Sequence, residues 1–428
     1  VESRNVTFLG EDWPVFWEAA AGSNVRDVDG NVYVDLTGGF GVAFLGHAHP
    51  AVTRAVAGQA ERLVHGMGDV HPPALKVELL ERLAALMPWP EARGVLASTG
   101  SEAVEIALKT ALLVTGRPGV LAFEGGYHGL TLGSLAVTHR EHFRSPFERR
   151  LYRGVAFAPL PAAVRELRGS RSAVDPAHPS ADAALARVSD LLCAGAPNGD
   201  PIGAVIVEPV QGRAGVRLAR EGFMAALSDA AHEAGALVIA DEILTGMGRC
   251  GASLASTRLG LRPDLVCLGK ALGAGLPLSA CLGPAAVMDV WPSSEGEAVH
   301  TSTFLGHPLA CAAALAALDA SEQDGASARA QALGAFLQGR LAERLSHARG
   351  VVDVRGLGLL LGVELAIDAA SRAPAAKAAA AALRRGVLVL PAGERGEVLE
   401  LTPPVTLTHE QVEHVVEVLV AVVEEGAS

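Results

Sequence analysis

Only four lysines occur among the 35 basic residues, at positions 76, 109, 270 and 377, and one has surroundings unlike the others. Lys270 stands in Val266-Cys267-Leu268-Gly269-Lys270-Ala271-Leu272-Gly273-Ala274-Gly275, an apolar, glycine-rich run where an ammonium is costly unless it is paired or used. A desolvated lysine is a nucleophile toward carbonyl carbon. Lys76 lies in a stretch with apolar residues at helical spacing and reads as a solvated helix position, while Lys109 and Lys377 also belong to helical patterns.

Other residue types stand out by position. Asp241 closes an apolar strand-like run, where its carboxylate would either cap the next segment or pair with a buried cationic ligand such as a pyridinium nitrogen. Ser98-Thr99-Gly100-Ser101-Glu102-Ala103 joins a strand pattern to a helical one; it fits a phosphate cup at a helix N-terminus and equally an ordinary capping box. Tyr127-His128-Gly129 follows another strand, where a flat aromatic either stacks on a ligand ring or packs in the core. Gly246-Met247-Gly248-Arg249-Cys250-Gly251 imitates a dinucleotide fingerprint but does not follow its strand directly, and Gly356-Leu357-Gly358 runs into a strand where a helix is required. His47-Ala48-His49-Pro50 lacks neighbouring ligand types and reads as a turn, so no metal site is expected.

The elements that must position these residues alternate. Strand patterns at 94–97, 120–123, 204–208, 236–240, 265–268 and 278–282 are separated in part by helical runs such as 102–115 and 222–234. Strands apolar throughout, alternating with helices, predict an α/β large domain with a mostly parallel sheet covered by helices. Ligands then sit beyond the C-terminal strand ends, where the residues above fall. A smaller α+β domain is expected from both chain ends: a hairpin over 24–36 turning at Asp29-Gly30, strand patterns at 350–365 and 387–390, and helices over 369–385 and 408–425. The boundaries read as 1–45 and 320–428 for the small domain and 46–319 for the large one, with a helix-bearing surface excursion over 161–201.

The totals narrow the class. A formal charge of −12 and the lack of any extended basic stretch argue against nucleic-acid or anionic-membrane partners. No apolar run reaches the ~18 residues of a membrane helix. Five scattered cysteines without metal spacing read as reduced thiols, and the first residues lack a signal-peptide pattern, so a cytoplasmic enzyme is expected.

Taken in order, Leu45-Gly46-His47-Ala48-His49-Pro50, the 98–103 segment, Tyr127-His128-Gly129, Glu208-Pro209-Val210-Gln211, Asp241-Glu242-Ile243-Leu244-Thr245-Gly246, Gly269-Lys270-Ala271-Leu272, Thr303-Phe304-Leu305-Gly306-His307-Pro308 and Arg355-Gly356-Leu357-Gly358-Leu359 resemble the class III (ornithine/4-aminobutyrate type) aminotransferases of pyridoxal-phosphate fold type I. The resemblance spans almost the whole chain. It implies pyridoxal 5′-phosphate (PLP) held as a Schiff base on Lys270, with Asp241 keeping the pyridine nitrogen protonated. It places Ile243 behind the ring, Tyr127 on the opposite face with His128 beside it, and Gly100 and Ser101 on the phosphate. Ser302 and Thr303 would reach the phosphate of a neighbouring subunit, implying at least a homodimer. Glu208 becomes a further carboxylate near the cofactor, and Phe40 an apolar wall of the substrate pocket.

Two departures bear on substrate. A glutamate and an arginine that face each other in 4-aminobutyrate-type members are here exchanged, as Arg213 and Glu400. The exchange implies an ion pair in which Arg213 either serves a substrate carboxylate or makes a structural bridge. A glutamine often found after Asp-Glu-Ile is Leu244. The resulting expectation is an aminotransferase that moves an amino group from an amino acid or terminal amine to a 2-oxo acid. A racemase or epimerase on the same fold, and a non-catalytic PLP-binding protein, are the alternatives.

Overall fold

The computed structural model describes residues 15–162, 179–346, 348–367 and 373–426. Its centre is a seven-stranded sheet in the order Ala92–Ala97, Ser279–Pro284, Leu265–Leu268, Leu237–Asp241, Ile202–Val207, Gly119–Phe123, Val155–Ala158. Ser279–Pro284 runs antiparallel to both neighbours, and the pairings from Leu265–Leu268 to Val155–Ala158 are all parallel.

The apolar strands are explained by burial on both faces. Leu121, Phe123, Val205, Val207, Val238, Ala240, Val266 and Leu268 point into one core, and Val120, Ala122, Ala204, Ile206, Ile239, Leu265 and Cys267 into the other. This is the period-two alternation of a pleated sheet covered twice. The helix Gly100–Thr115 covers one face through Val104, Ile106 and Ala107. Ala74–Ala85, Ala181–Ala194, Phe223–Glu233 and part of Pro308–Gln323 cover the other.

The two chain ends meet as expected. The antiparallel strands Trp17–Ala21, Asn24–Asp27 and Val32–Asp35 are extended by Val387–Leu388, which pairs parallel to Val32–Asp35. A second sheet, Val351–Leu357, Leu360–Leu365, Val398–Leu401 and Leu390–Ala392, is antiparallel. Ala326–Leu345, Pro374–Leu383 and His409–Gly426 share a third core with it. The helix Pro308–Gln323 runs through position 320 and serves two cores, with Ala313 and Ala317 in one and Cys311 and Leu318 in the other.

Some readings shift. Val155–Ala158 is a strand that the sequence reading passed over. Ile202–Val207 ends one residue before Glu208, which leaves that carboxylate in the following turn. Lys76 is not a simply solvated position: it is half-buried and its Nζ donates to the Gly68 carbonyl at 2.5 Å. Within the 161–201 excursion, Ala181–Ala194 is helical and buries Ala184, Val188 and Leu191, while 163–178 lies outside the described residues, as do 369–372 of the expected 369–385 helix.

Candidate active site

Four C-terminal strand ends and one helix N-terminus converge on a single cavity lined by Gly100, Ser101, Tyr127, His128, Gly129, Glu208, Arg213, Asp241, Ile243, Leu244 and Lys270. Lys270 follows Leu265–Leu268 after one glycine and takes φ +44°, an unusual conformation for a residue with a side chain. Burial lowers its ammonium below the ordinary lysine value; Asp241, Glu400 and Glu208 pull the other way, and Arg213 adds to the fall. A lysine so placed is biased toward the free amine that attacks a carbonyl.

Asp241 ends the adjacent parallel strand. Its Oδ1 accepts from the Ile243 N–H at 3.1 Å, and its Oδ2 accepts from Nδ1 of His128 at 2.8 Å. The carboxylate therefore caps the next turn and still faces the cavity. His128 is 2 % exposed, and its other ring nitrogen, Nε2, is buried without a partner.

The turn after Gly119–Phe123 carries Tyr127, whose N–H donates to Glu208 Oε1 at 2.8 Å and whose ring meets Phe143 edge-on at 5.6 Å. Glu208 Oε2 accepts from the Gly212 N–H at 3.1 Å, so one carboxylate ties two loops of the cavity together. Burial raises the Glu208 carboxyl to about 7, nearby Asp241 adds to the rise, and His128 and the two N–H donors oppose it.

The helix Gly100–Thr115 starts with a complete capping box: Thr99 Oγ1 accepts from the Glu102 N–H at 3.2 Å, and Glu102 Oε2 accepts from the N–H of Ser98 and Thr99 at 2.8 and 2.9 Å. The capping reading holds, and Gly100 and Ser101 nevertheless line the cavity, where first-turn N–H groups have no partner inside the helix. A Cβ on Gly100 would lie 2.9 Å from Ile243 Cδ1. At Gly129, with φ +123°, it would strike the Ser101 hydroxyl. Glycine is required at Gly129, and at Gly100 a larger residue would displace the Ile243 side chain.

Arg213 and Glu400 do face each other, Nη1 to Oε2 at 3.9 Å, beyond hydrogen-bonding range. Glu400 is buried, which raises its carboxyl, and its Oε2 has no hydrogen-bond donor. Leu244 lines the cavity, as its motif placed it. Phe40 does not: its side chain is 69 % exposed in the left-handed run Gly38-Gly39-Phe40-Gly41, although a Cβ on Gly41 would lie 3.8 Å from Lys270 Cδ. Ser302 and Thr303 are also outside the cavity lining, on a loop held by Thr301 Oγ1 donating to Asp69 at 2.6 Å and by Lys109 against His300 at 3.2 Å. His47 bonds Asp35 at 2.8 Å and, where a turn was expected, pairs through its backbone with Gly22; no metal-holding cluster occurs among the described residues.

The sequence reading named His128 but missed its role as the partner of Asp241, and it quoted Gly129 in its motif without assigning it a place in the site. The signal for Gly129 was its place after Tyr127-His128. Nothing in the sequence linked His128 to a residue 113 positions away.

The donor set fits PLP: an aldehyde would meet the buried amine of Lys270, a pyridine nitrogen the carboxylate of Asp241, and a phosphate the helix start at Gly100 and Ser101, with Gly129 leaving room for close approach.

The chain matches the aminotransferase class III family over residues 9–423. It is 33% identical to an acetylornithine aminotransferase of Methanosarcina mazei over 407 residues, covering 95% of this chain and 91% of that protein. A 5-aminovalerate aminotransferase of Pseudomonas aeruginosa is 36% identical over 412 residues, at 95% and 92% coverage. An alanine/serine racemase of Pyrococcus horikoshii is 32% identical over 413 residues, at 95% and 85% coverage. The crystal structure of an amine transaminase from an uncultivated Pseudomonas species, in its PLP-bound internal-aldimine form, superposes with a TM-score of 0.87 at 29% identity and covers 99% of each chain. A buried lysine beside an aspartate–histidine pair, on a sheet of this order and with relatives of this kind along nearly its whole length, places the chain in the class III aminotransferases, PLP-dependent enzymes of fold type I.

Proposed function

We propose that the enzyme takes an amino group from an amino acid or a terminal amine and delivers it to a 2-oxo acid, with Lys270 as both the anchor of PLP and the group that moves the proton at the substrate carbon. The observation that carries this reading is the convergence in one cavity of Lys270, the Asp241–His128 pair and the Gly100–Ser101 helix start.

Bound PLP supplies the electron sink that makes the substrate's C–H bond acidic. The protein's own groups do the rest. Asp241, oriented by His128 and the Ile243 N–H, presents a carboxylate to a cationic ring nitrogen. Ile243 and Tyr127 would bound the ring's two faces, and Gly100 and Ser101 would hold the phosphate. Lys270, lowered by burial, has a free amine available as general base and returns the proton as acid. Glu208 fixes the loops of Tyr127 and Gly212. Arg213 serves a substrate carboxylate, Glu400 is its counter-charge, and Phe40 borders the entrance.

The remaining assignments belong to the same reading. The active unit is a homodimer, supported by the exposed loop that holds Ser302 and Thr303 away from their own cavity. The small domain comprises 1–45 and 320–428 and the large one 46–319, with Pro308–Gln323 shared between their cores. Free thiols at all five cysteines suit a cytoplasmic enzyme.

A racemase reading is favoured by one observation, the racemase among the relatives. Incubation with single enantiomers of amino acids plus 2-oxoglutarate separates the two. Keto-acid appearance is the expected result, and loss of optical rotation without keto acid would overturn it.

A further inference from the structure

Two arginines converge on Gly393 beside the cavity. Arg213 lines the cavity, and its backbone carbonyl accepts from the Gly393 N–H at 3.1 Å. Arg140 reaches the same residue from the other side, with Nη2 donating to the Gly393 carbonyl at 3.2 Å. Its Cζ lies 5.4 Å from the centre of the Phe143 ring, which packs edge-on against Tyr127 of the cavity.

Neither guanidinium has a hydrogen-bonded carboxylate among the described residues. Among the described residues Arg213 donates to the Pro391 carbonyl at a long 3.4 Å and faces Glu400 at 3.9 Å, and Arg140 has no hydrogen-bonded carboxylate. The other carboxylates near Arg140 are Glu394, which is exposed, and Glu397, which accepts from the Arg395 N–H at 2.8 Å. The two cations oppose each other: after burial, Arg213 is the largest influence lowering the half-buried Arg140. Half-buried like charges are costly unless an anion joins them, and a planar guanidinium pair matches a carboxylate's two oxygens.

We infer that Arg140 and Arg213 together form a two-cation subsite that seats a substrate carboxylate at the cavity entrance, which makes Arg140 a specificity-determining residue. The inference rests on the aminotransferase reading and extends its carboxylate contact to a residue on a different loop.

The test uses holoenzyme with Arg140→Gln and Arg140→Lys. Conversion to the pyridoxamine form is followed in single turnovers with 5-aminopentanoate and with pentylamine, a matched pair with and without a carboxylate. Sulfate binding is measured by calorimetry. Loss of one charge-assisted contact raises half-saturation for 5-aminopentanoate roughly ten- to a hundredfold, changes pentylamine by less than about threefold, and weakens sulfate by at least about tenfold, with Arg140→Lys restoring much of each. Equal loss with both donors, or sulfate binding indifferent to Arg140, overturns the subsite. Wild-type enzyme that binds sulfate through Arg140 but transfers no amino group from any donor would instead overturn the aminotransferase reading.

Discussion

Lys270 and Asp241 were legible from sequence because each is out of place by type: a lysine inside an apolar glycine-rich run, and a carboxylate at the tip of an apolar strand. Their supports were not. His128, Gly129 and Arg140 acquire meaning only when distant segments meet, and a sequence carries no record of a 2.8 Å contact across 113 positions. Glu208 makes a prediction at this scale. Burial raises its folded carboxyl from 4.5 to about 7, so between those values the native state holds a proton that the unfolded chain has released. The fold therefore loses stability as pH climbs from about 5 to about 7, by at most about 3 kcal/mol at roughly 1.4 kcal/mol per unit. Denaturant melts of Glu208→Gln at pH 5 and 8 should differ less than those of the parent; identical pH dependence would mean that Glu208 is not the group responsible.

The helix Gly100–Thr115 and the strands around it do two jobs with one set of residues. The capping box spends the Glu102 carboxylate on Ser98 and Thr99, which pins the helix start and leaves the Gly100–Ser101 backbone facing the cavity. The capping reading of this segment holds, and that the same helix start also lines the cavity, where a phosphate could sit, became visible only in three dimensions. Central strands were read within a residue or two because burial on both faces leaves an unbroken apolar run. Val155–Ala158 escaped because four apolar residues at a sheet edge look like any buried turn. Gly100→Ala places a methyl 2.9 Å from Ile243 Cδ1. Overpacking of this kind costs about 1–3 kcal/mol, and shifting Ile243 would disturb the face proposed to support the cofactor ring. Thermal unfolding should show the loss, and titration with PLP should show weaker binding; unchanged affinity would remove Gly100 from the cradle.

Across the whole molecule, the segments that frame the site come from both chain ends and are fastened by a residue that the sequence offered only inside a rejected glycine pattern. Arg249 is 0 % exposed and donates to the carbonyls of Gly41, Leu359 and Pro403 at 3.1, 3.2 and 2.6 Å, with Phe44 5.1 Å from its Cζ. It joins the Gly38–Gly41 loop beside Lys270 to the C-terminal sheet and to the turn after it. Arg249→Met strands three buried carbonyls and should cost roughly 3 kcal/mol or more in urea unfolding; a change under about 0.5 kcal/mol would contradict this fastening role. The account as a whole depends on the ε-nitrogen of Lys270 carrying the cofactor. Borohydride reduction of the holoenzyme, digestion and mass mapping should place the pyridoxyl group on the peptide containing Lys270, whereas a label on Lys76, Lys109 or Lys377, or none on cofactor-loaded protein, would contradict it.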